Sequence, residues 1–129
     1  MVLALARASC FPIILYGLEA LPLSLTEVHN LAFAYNNIFV KLFHVKDIHC
    51  IEQCQYFCDF WSFQAVYEFR RYLFLSHYFE RQGPCAMGSL DYPDYLELNS
   101  IAVKYKFCFS DSKSCLKFKV WKYLESYLF

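Results

Sequence analysis

Helix-breaking residues are scarce in this chain: three glycines and four prolines punctuate 129 residues. A loop that cradles phosphate needs clustered glycines so that backbone N–H groups can close on the ligand, and Gly17, Gly83 and Gly88 stand far apart, which excludes that kind of nucleotide site. Adjacent carboxylates are also missing. Nowhere do two acidic residues stand side by side, so the signature of metal-assisted or paired-carboxylate catalysis is absent. Net charge is zero, with 12 basic and 12 acidic side chains, so the chain as a whole carries no electrostatic footprint for nucleic acid or an acidic membrane. The longest uncharged run near the start, Ala8 to Leu18, is broken off by Glu19, short of the ~20 residues a membrane span requires. No basic stretch precedes it and Arg7 interrupts the apolar segment, so a secretory signal is not expected and residence inside the cell, cytoplasmic or nuclear, is. Seven cysteines, an odd number without such a signal, read as free thiols rather than a disulfide framework.

What the chain has in abundance is apolar surface. Hydrophobic residues make up 58% and aromatic ones 21%, including 14 Phe and 11 Tyr, which points either to a missing partner surface or to a sequence not shaped for solubility. Charge is unevenly placed: six lysines and one acid, Asp111, lie between Lys104 and Lys122, whereas residues 1–82 carry six basic and seven acidic side chains.

The spacing of these apolar residues predicts a mainly α fold, an irregular bundle of about four helices over residues 2–82 followed by a less regular α/β tail over 83–129. Ala4 to Leu18 reads as a buried helix that Pro12 bends or restarts and Pro22 ends. Ser24-Leu25-Thr26-Glu27 is a capping box, with Leu23 and Val28 placed as a hydrophobic staple. Beyond it Val28, Leu31, Tyr35, Ile38 and Leu42 recur at spacings of three and four, one stripe of a helix. Asp47 is expected to cap a third helix with Ile48, Ile51, Cys54 or Gln55, and Cys58 inward. Ser62 is expected to cap a fourth that buries Phe63, Val66, Phe69 or Arg70, Leu73 and Tyr78 and runs to about Gln82, where Gly83-Pro84 stops it. In the tail, Ile101 to Phe109 alternates as a strand would, and Leu116, Val120, Tyr123 or Leu124, and Tyr127 suit a closing helix with Lys117, Lys119 and Lys122 outside.

Chemistry-bearing clusters are few. His49, Cys50, Cys54 and Cys58 gather on two helical turns, but four ligands strung along one helix cannot close a tetrahedron around one ion, so buried free thiols are the better reading and no metal is expected. A Cys-His pair of Cys10 or Cys85 with His44 or His77 is only formally available, and no local signature supports a thiol nucleophile. Asp91 and Asp94 flank Pro93 and read as solvated turn acids. The pair Arg70-Arg71 and the tail lysines read first as solvated helix faces and second as phosphate contacts.

One contiguous run says more. Pro12-Ile13-Ile14-Leu15-Tyr16-Gly17-Leu18-Glu19-Ala20-Leu21-Pro22-Leu23-Ser24 resembles the P-I-L-L-Y-G-L-E-A-x-P-L stretch that follows the polymerase core in LINE-type (non-LTR, jockey-like) retrotransposon reverse transcriptases. The likeness continues through Asn30 to Phe33, Asn36, Phe39 to Phe43, Cys54-Gln55, Phe57 with Phe60, and Arg70-Arg71 ahead of Leu73 to Leu75, covering roughly the first eighty residues. Ala32 stands where the family usually has Asp, and Asn37 where it usually has Arg. The resemblance implies the thumb and post-polymerase connector of an RNA-directed DNA polymerase, whose helices would pack beside an RNA or RNA/DNA template-primer. It implies no enzyme activity for this chain, because the palm with its x-D-D motif and the endonuclease domain are not in it. On this reading Lys41, Arg70 and Arg71 are candidate nucleic-acid contacts, and Tyr16, Gly17, Glu19, Leu42 and Phe43 form a packing motif against neighbouring parts of the polymerase. No cofactor, small-molecule substrate or membrane enters. The competing expectation is a small helical module that binds a protein through the stripe of residues 28–42.

Overall fold

A computed structural model describes residues 2–17, 23–82, 92–108 and 110–129. They are mainly α-helical, and no β-strand occurs among them. The described residues divide between Tyr67 and Glu68, with Leu128 grouped with the first unit and Phe129 with the second. That division falls within a helix, and residue 83, the boundary expected from the glycine-proline pair, lies outside the described residues.

The first unit opens with a single α turn, α1 (Val2–Leu5), a π-helical turn (Ala6–Cys10) and α2 (Phe11–Leu15). Pro12 explains the π turn. Its ring would strike the carbonyl four residues back and it has no N–H to donate, so widening the preceding turn to an i→i−5 pattern, seen in the Phe11 N–H bond to the Ala6 carbonyl, relieves both conflicts. Gly17 follows at φ +71°, in the left-handed region where a side chain is disfavoured.

Helix α3 (Leu25–Phe43) begins in the expected capping box: the Glu27 N–H donates to Ser24 Oγ at 3.3 Å and the Ser24 N–H to Glu27 Oε2 at 2.8 Å. Leu23 and Val28 both pack against the core, as a staple requires. The buried line, however, runs through Tyr35 and Phe39, and Phe39 is fully enclosed. Ile38 and Leu42, which the three-four spacing favoured, sit half-buried at its edge. Helix α4 (Ile48–Phe57) starts at Asp47, whose carboxylate accepts from the Cys50 N–H. It buries Ile51 and Gln55, while Ile48 and Cys50 face solvent and Cys54 and Cys58 are half-buried; the cysteine stripe lies one step off the inward face. Helix α5 (Phe63–Gln82) starts at Ser62, whose hydroxyl accepts from the Ala65 N–H.

Aromatic rings fill this unit's core. Phe11 lies 4.6 Å from Tyr35 and meets Phe60 edge-on at 5.4 Å; Phe39 meets Phe60 edge-on at the same distance, and Phe63 joins through Tyr35 at 5.8 Å. Each such pair adds about 0.5–1.5 kcal/mol beyond the burial of its area. The Tyr35 hydroxyl donates to the Trp61 carbonyl at 2.8 Å, and burial raises its pKa well above the ordinary value. Arg7 fastens the N-terminal turns to the rest: its guanidinium covers the Phe60 ring at 4.3 Å and donates to the Asp59 carbonyl at 3.1 Å.

In the second unit α6 (Tyr92–Tyr105) and α7 (Lys113–Leu128) accompany the later turns of α5. Over residues 101–108 the expected strand is therefore a helix and its exit, and Phe109 lies outside the described residues. Leu98, Ile101 and Tyr105 are buried at spacings of three and four, whereas Val103, an inward position in the alternating pattern, is 79% exposed. Pro93, read as a breaker, occupies the first turn of α6, where its missing N–H has no intrahelical acceptor to lose. Asp91 lies outside the described residues, as does the side chain of Asp94. Helix α7 is the expected closing helix, capped by the Ser112 hydroxyl and burying Leu116, Val120 and Leu124, but Tyr127, expected inward, is exposed.

With so few glycines, three helix ends close on residues that carry side chains: His44, Asp59 and Lys106 all have φ near +60°. After Asp59, the Phe60 N–H reaches the Gln55 carbonyl at 2.8 Å and the Asp59 N–H the Tyr56 carbonyl; Lys106 and Phe107 repeat the pair with Val103 and Ala102. These are Schellman closures built without glycine. The simpler end at His44, with one bond to the Val40 carbonyl, offers a direct test: His44→Gly is expected to stabilise the fold by about 0.5–1 kcal/mol in urea unfolding, with no gain in His44→Ala. In the same assay Phe39→Ala is expected to cost about 3–5 kcal/mol, because it empties the centre of the ring cluster.

Candidate nucleic-acid interface

The residues that the sequence nominated fall in different surroundings. Lys41, in the last turn of α3, is exposed, and so is Arg70 on α5. Arg71 is not available as a phosphate contact: it is only 2% exposed, and its Nε and Nη2 donate to the two oxygens of Glu97 on α6 at 3.0 and 3.2 Å. Adjacent residues on a helix point about 100° apart, so one arginine of the pair faces out while the other enters the second unit's interior. The packing motif disperses similarly. Tyr16 is 88% exposed, Gly17 forms the left-handed turn with no atom within 4 Å of where a Cβ would stand, Leu42 is half-buried and Phe43 is at the surface. Glu19 lies outside the described residues.

Thiol and metal chemistry find little support in the geometry. The Cys50 thiol is pushed above its ordinary pKa, chiefly by hydrogen bonding with the Asp47 carboxylate, and Cys58 chiefly by burial; both shifts oppose the thiolate a nucleophile needs. Among the described residues no three His, Cys, Asp or Glu side chains are placed to share a metal ion. Cys85 lies outside them. No helix of the described residues is long and apolar enough to cross a membrane.

Among the described residues each unit presents a groove. The first unit has a groove of about 490 Å³ beside α3 and α4, in which Phe33 and Ile48 present apolar surface and Asn36, Lys46 and Glu52 polar groups. Desolvation raises the Glu52 pKa, opposed by His49. Ala32 and Asn37, the two positions that depart from the reverse transcriptase pattern, both line this groove. Behind it Gln55 is fully buried and donates from Nε2 to Asn36 Oδ1 at 2.7 Å, tying α4 to α3.

The second unit's groove, about 560 Å³, is basic and aromatic. Lys104, Lys106, Lys119 and Lys122 line it together with Tyr105, Phe118 and Tyr123, and no acid does among the described residues. Cys115, Phe118, Lys119, Lys122, Tyr123 and Ser126 recur at spacings of three and one along α7, so a single helical face builds one wall. The sequence showed the lysine density but not this convergence; the Phe118-Lys119 and Lys122-Tyr123 repeat, four residues apart, was the signal available.

Carboxylates outside the groove hold two of its lysines. Lys104 Nζ bonds Glu68 Oε1 at 3.0 Å while lying 5.3 and 5.4 Å from the rings of Tyr105 and Tyr123. Lys119 pairs with Asp111 and donates to the Lys106 carbonyl at 2.9 Å, and Asp111 also accepts from the Cys108 N–H. Hydrogen bonding with Lys119 lowers the Asp111 pKa and that with Asp111 raises the Lys119 pKa. Lys106 and Lys122 are the groove charges outside these ion pairs, and Lys122 rests over the Phe118 ring at 5.3 Å.

No protein-family model, curated protein or solved structure matches the chain.

The pair of shifts fixes a pH dependence. A depressed Asp111 contributes stability above its ordinary value of 3.8 and loses it as pH falls through the lower folded value; a raised Lys119 contributes below 10.5 and loses it as pH rises through the higher one. Urea midpoints followed across acid pH are therefore expected to fall less steeply below about pH 4 in Asp111→Asn than in the parent chain, with the two curves separated by a constant gap around neutrality.

Proposed function

We propose that this chain is a part of a non-LTR retrotransposon RNA-directed DNA polymerase, from the region that follows the polymerase core, without catalysis of its own and with a supporting role in template-primer contact. The observation that carries the reading is the uninterrupted run from Pro12 to Ser24 and its continuation into α3, α4 and α5. Catalysis by such a polymerase needs clustered carboxylates to hold two metal ions, and this sequence offers no adjacent acids. Exposed Lys41 and Arg70 supply positive charge for a nucleic-acid backbone, each in its own unit. The loss of an acid and a base at positions 32 and 37 removes charge from one groove, which fits a segment no longer held to its ancestral contact.

A second reading has a specific observation behind it. Phe33 is 72% and Ile48 58% exposed in that same groove, and a partner protein's apolar side chain would cover both. The two readings diverge in binding to an RNA/DNA hybrid. On the polymerase reading, titration of the full chain with a labelled hybrid gives salt-sensitive binding, Lys41→Gln and Arg70→Gln each reduce the slope of log affinity against log salt by about one, and primer extension yields no product. Hybrid binding indifferent to both substitutions would remove the proposed contact, and primer extension by the purified chain would overturn the non-catalytic reading. Translating the genomic DNA upstream of Met1 tests origin independently: a palm with an x-D-D motif in frame is expected, and an unrelated upstream gene abutting the start would count against it.

A further inference from the structure

The lysine-aromatic groove of the second unit lies in residues 104–126, beyond the stretch that resembles a reverse transcriptase, so an account of it stands apart from that reading. We infer that this groove is a binding site for single-stranded nucleic acid, in which Lys106 and Lys122 meet backbone phosphates and Phe118, which lines the groove together with Tyr123, offers a face on which an unpaired base stacks.

Charge comes first. Four ammonium groups line the groove and two carboxylates, Glu68 and Asp111, engage two of them, so the site keeps a positive excess within a chain whose net charge is zero. The engaged lysines are held in place: Lys119 is anchored to both Asp111 and the Lys106 carbonyl, and Lys104 between Glu68 and two tyrosine rings. A fixed array of this kind binds a polyanion with less ordering of side chains than free surface lysines would need. Lys106 stands at the left-handed exit of α6, and its backbone is fixed by the helix closure.

The rings select among polyanions. Phe118 is 59% exposed, an unfavourable place for a phenyl ring unless something flat covers it, and Lys122 over that ring supplies the adjacent charge. Interleaved cations and exposed aromatic faces are the arrangement that binds single strands without regard to sequence, since every base has a π-face and every nucleotide a phosphate. A duplex keeps its bases stacked and would use only the lysines. An acidic peptide would likewise leave the ring unused. An anionic membrane would require an apolar helix face to insert, and the aliphatic face of α7, formed by Leu116, Val120 and Leu124, is already buried in the protein.

Fluorescence anisotropy of the full chain with a short labelled oligouridylate, over a range of salt, tests the inference. Binding is expected to weaken about five-fold or more in Phe118→Ala with the salt slope unchanged, and to weaken with a slope smaller by about one in Lys122→Gln. Both side chains are largely exposed, and thermal melts of the variants matching the parent verify that each folds. Lys117→Gln, at an exposed position of α7 outside the groove lining, is expected to leave oligouridylate affinity within about two-fold of the parent, which separates the groove from the general positive charge of the tail. Loss of affinity in Lys122→Gln with none in Phe118→Ala would reduce the groove to a general polyanion surface and overturn the stacking site. Equal affinity for a duplex of the same length, or for phosphatidylserine vesicles in preference to the oligomer, would overturn it as well.

Discussion

A helix that must turn back on itself without glycine has to place a side chain in the left-handed region, at a cost of about 1–2 kcal/mol for most residues. Here that constraint governs both units. At Asp59 and at Lys106 the residue that follows is a phenylalanine, and both Phe60 and Phe107 are 7% exposed. Burying such a ring contributes about 1.5–3 kcal/mol, enough to offset the strained turn. Phe60 then becomes the edge against which Phe11 and Phe39 pack, and Phe107 sits 4.7 Å from Tyr72 and 5.3 Å from Tyr105. Each core is thus organised around a ring delivered by a helix end, and the turn is held by the ring it delivers.

The same constraint shapes the candidate interface. The left-handed residue at the end of α6 is a lysine, and its carbonyl, freed from the helix, accepts from Lys119 on α7. One backbone reversal therefore buries Phe107 on the inside and helps set two groove lysines on the outside. Interior donors are paired, although Gln55 Oε1 is buried without a hydrogen-bond partner. Arg71 is matched by both oxygens of Glu97, and Gln55 is tied to Asn36, arrangements whose worth lies in fixing which elements meet more than in added stability.

The two grooves have opposite chemistry. In the first unit, amide and apolar groups line the groove beside one lysine, Lys46, and one acid, Glu52, so its described lining carries no excess of positive charge. In the second, lysines and rings converge in a region without family likeness. The two proposed nucleic-acid contacts rest on different physics: isolated exposed cations, Lys41 in the first unit and Arg70 in the second, and a preorganised groove between residues 104 and 126.

Several features were legible in the sequence because they depend only on near neighbours. The capping box at Ser24, the caps at Asp47 and Ser62 and the closing helix with Leu116 and Val120 inward all follow from hydrogen bonds or spacings within one or two turns. What the sequence left undecided involved competition between patterns or between distant groups. Ile101 to Phe107 satisfies a strand's alternation and a helix's three-four spacing at once, and the extension of the second pattern back to Leu98 chose the helix. Arg70 and Arg71 are equivalent as letters, and only the carboxylate of Glu97, 26 residues away, determined which one is withdrawn from solvent. The mainly helical character was thus fixed locally by apolar periodicity and capping, whereas the placement of Phe39 at a core's centre and the gathering of four lysines in one groove came from packing between helices, where side chains remote in the chain compete for the same space.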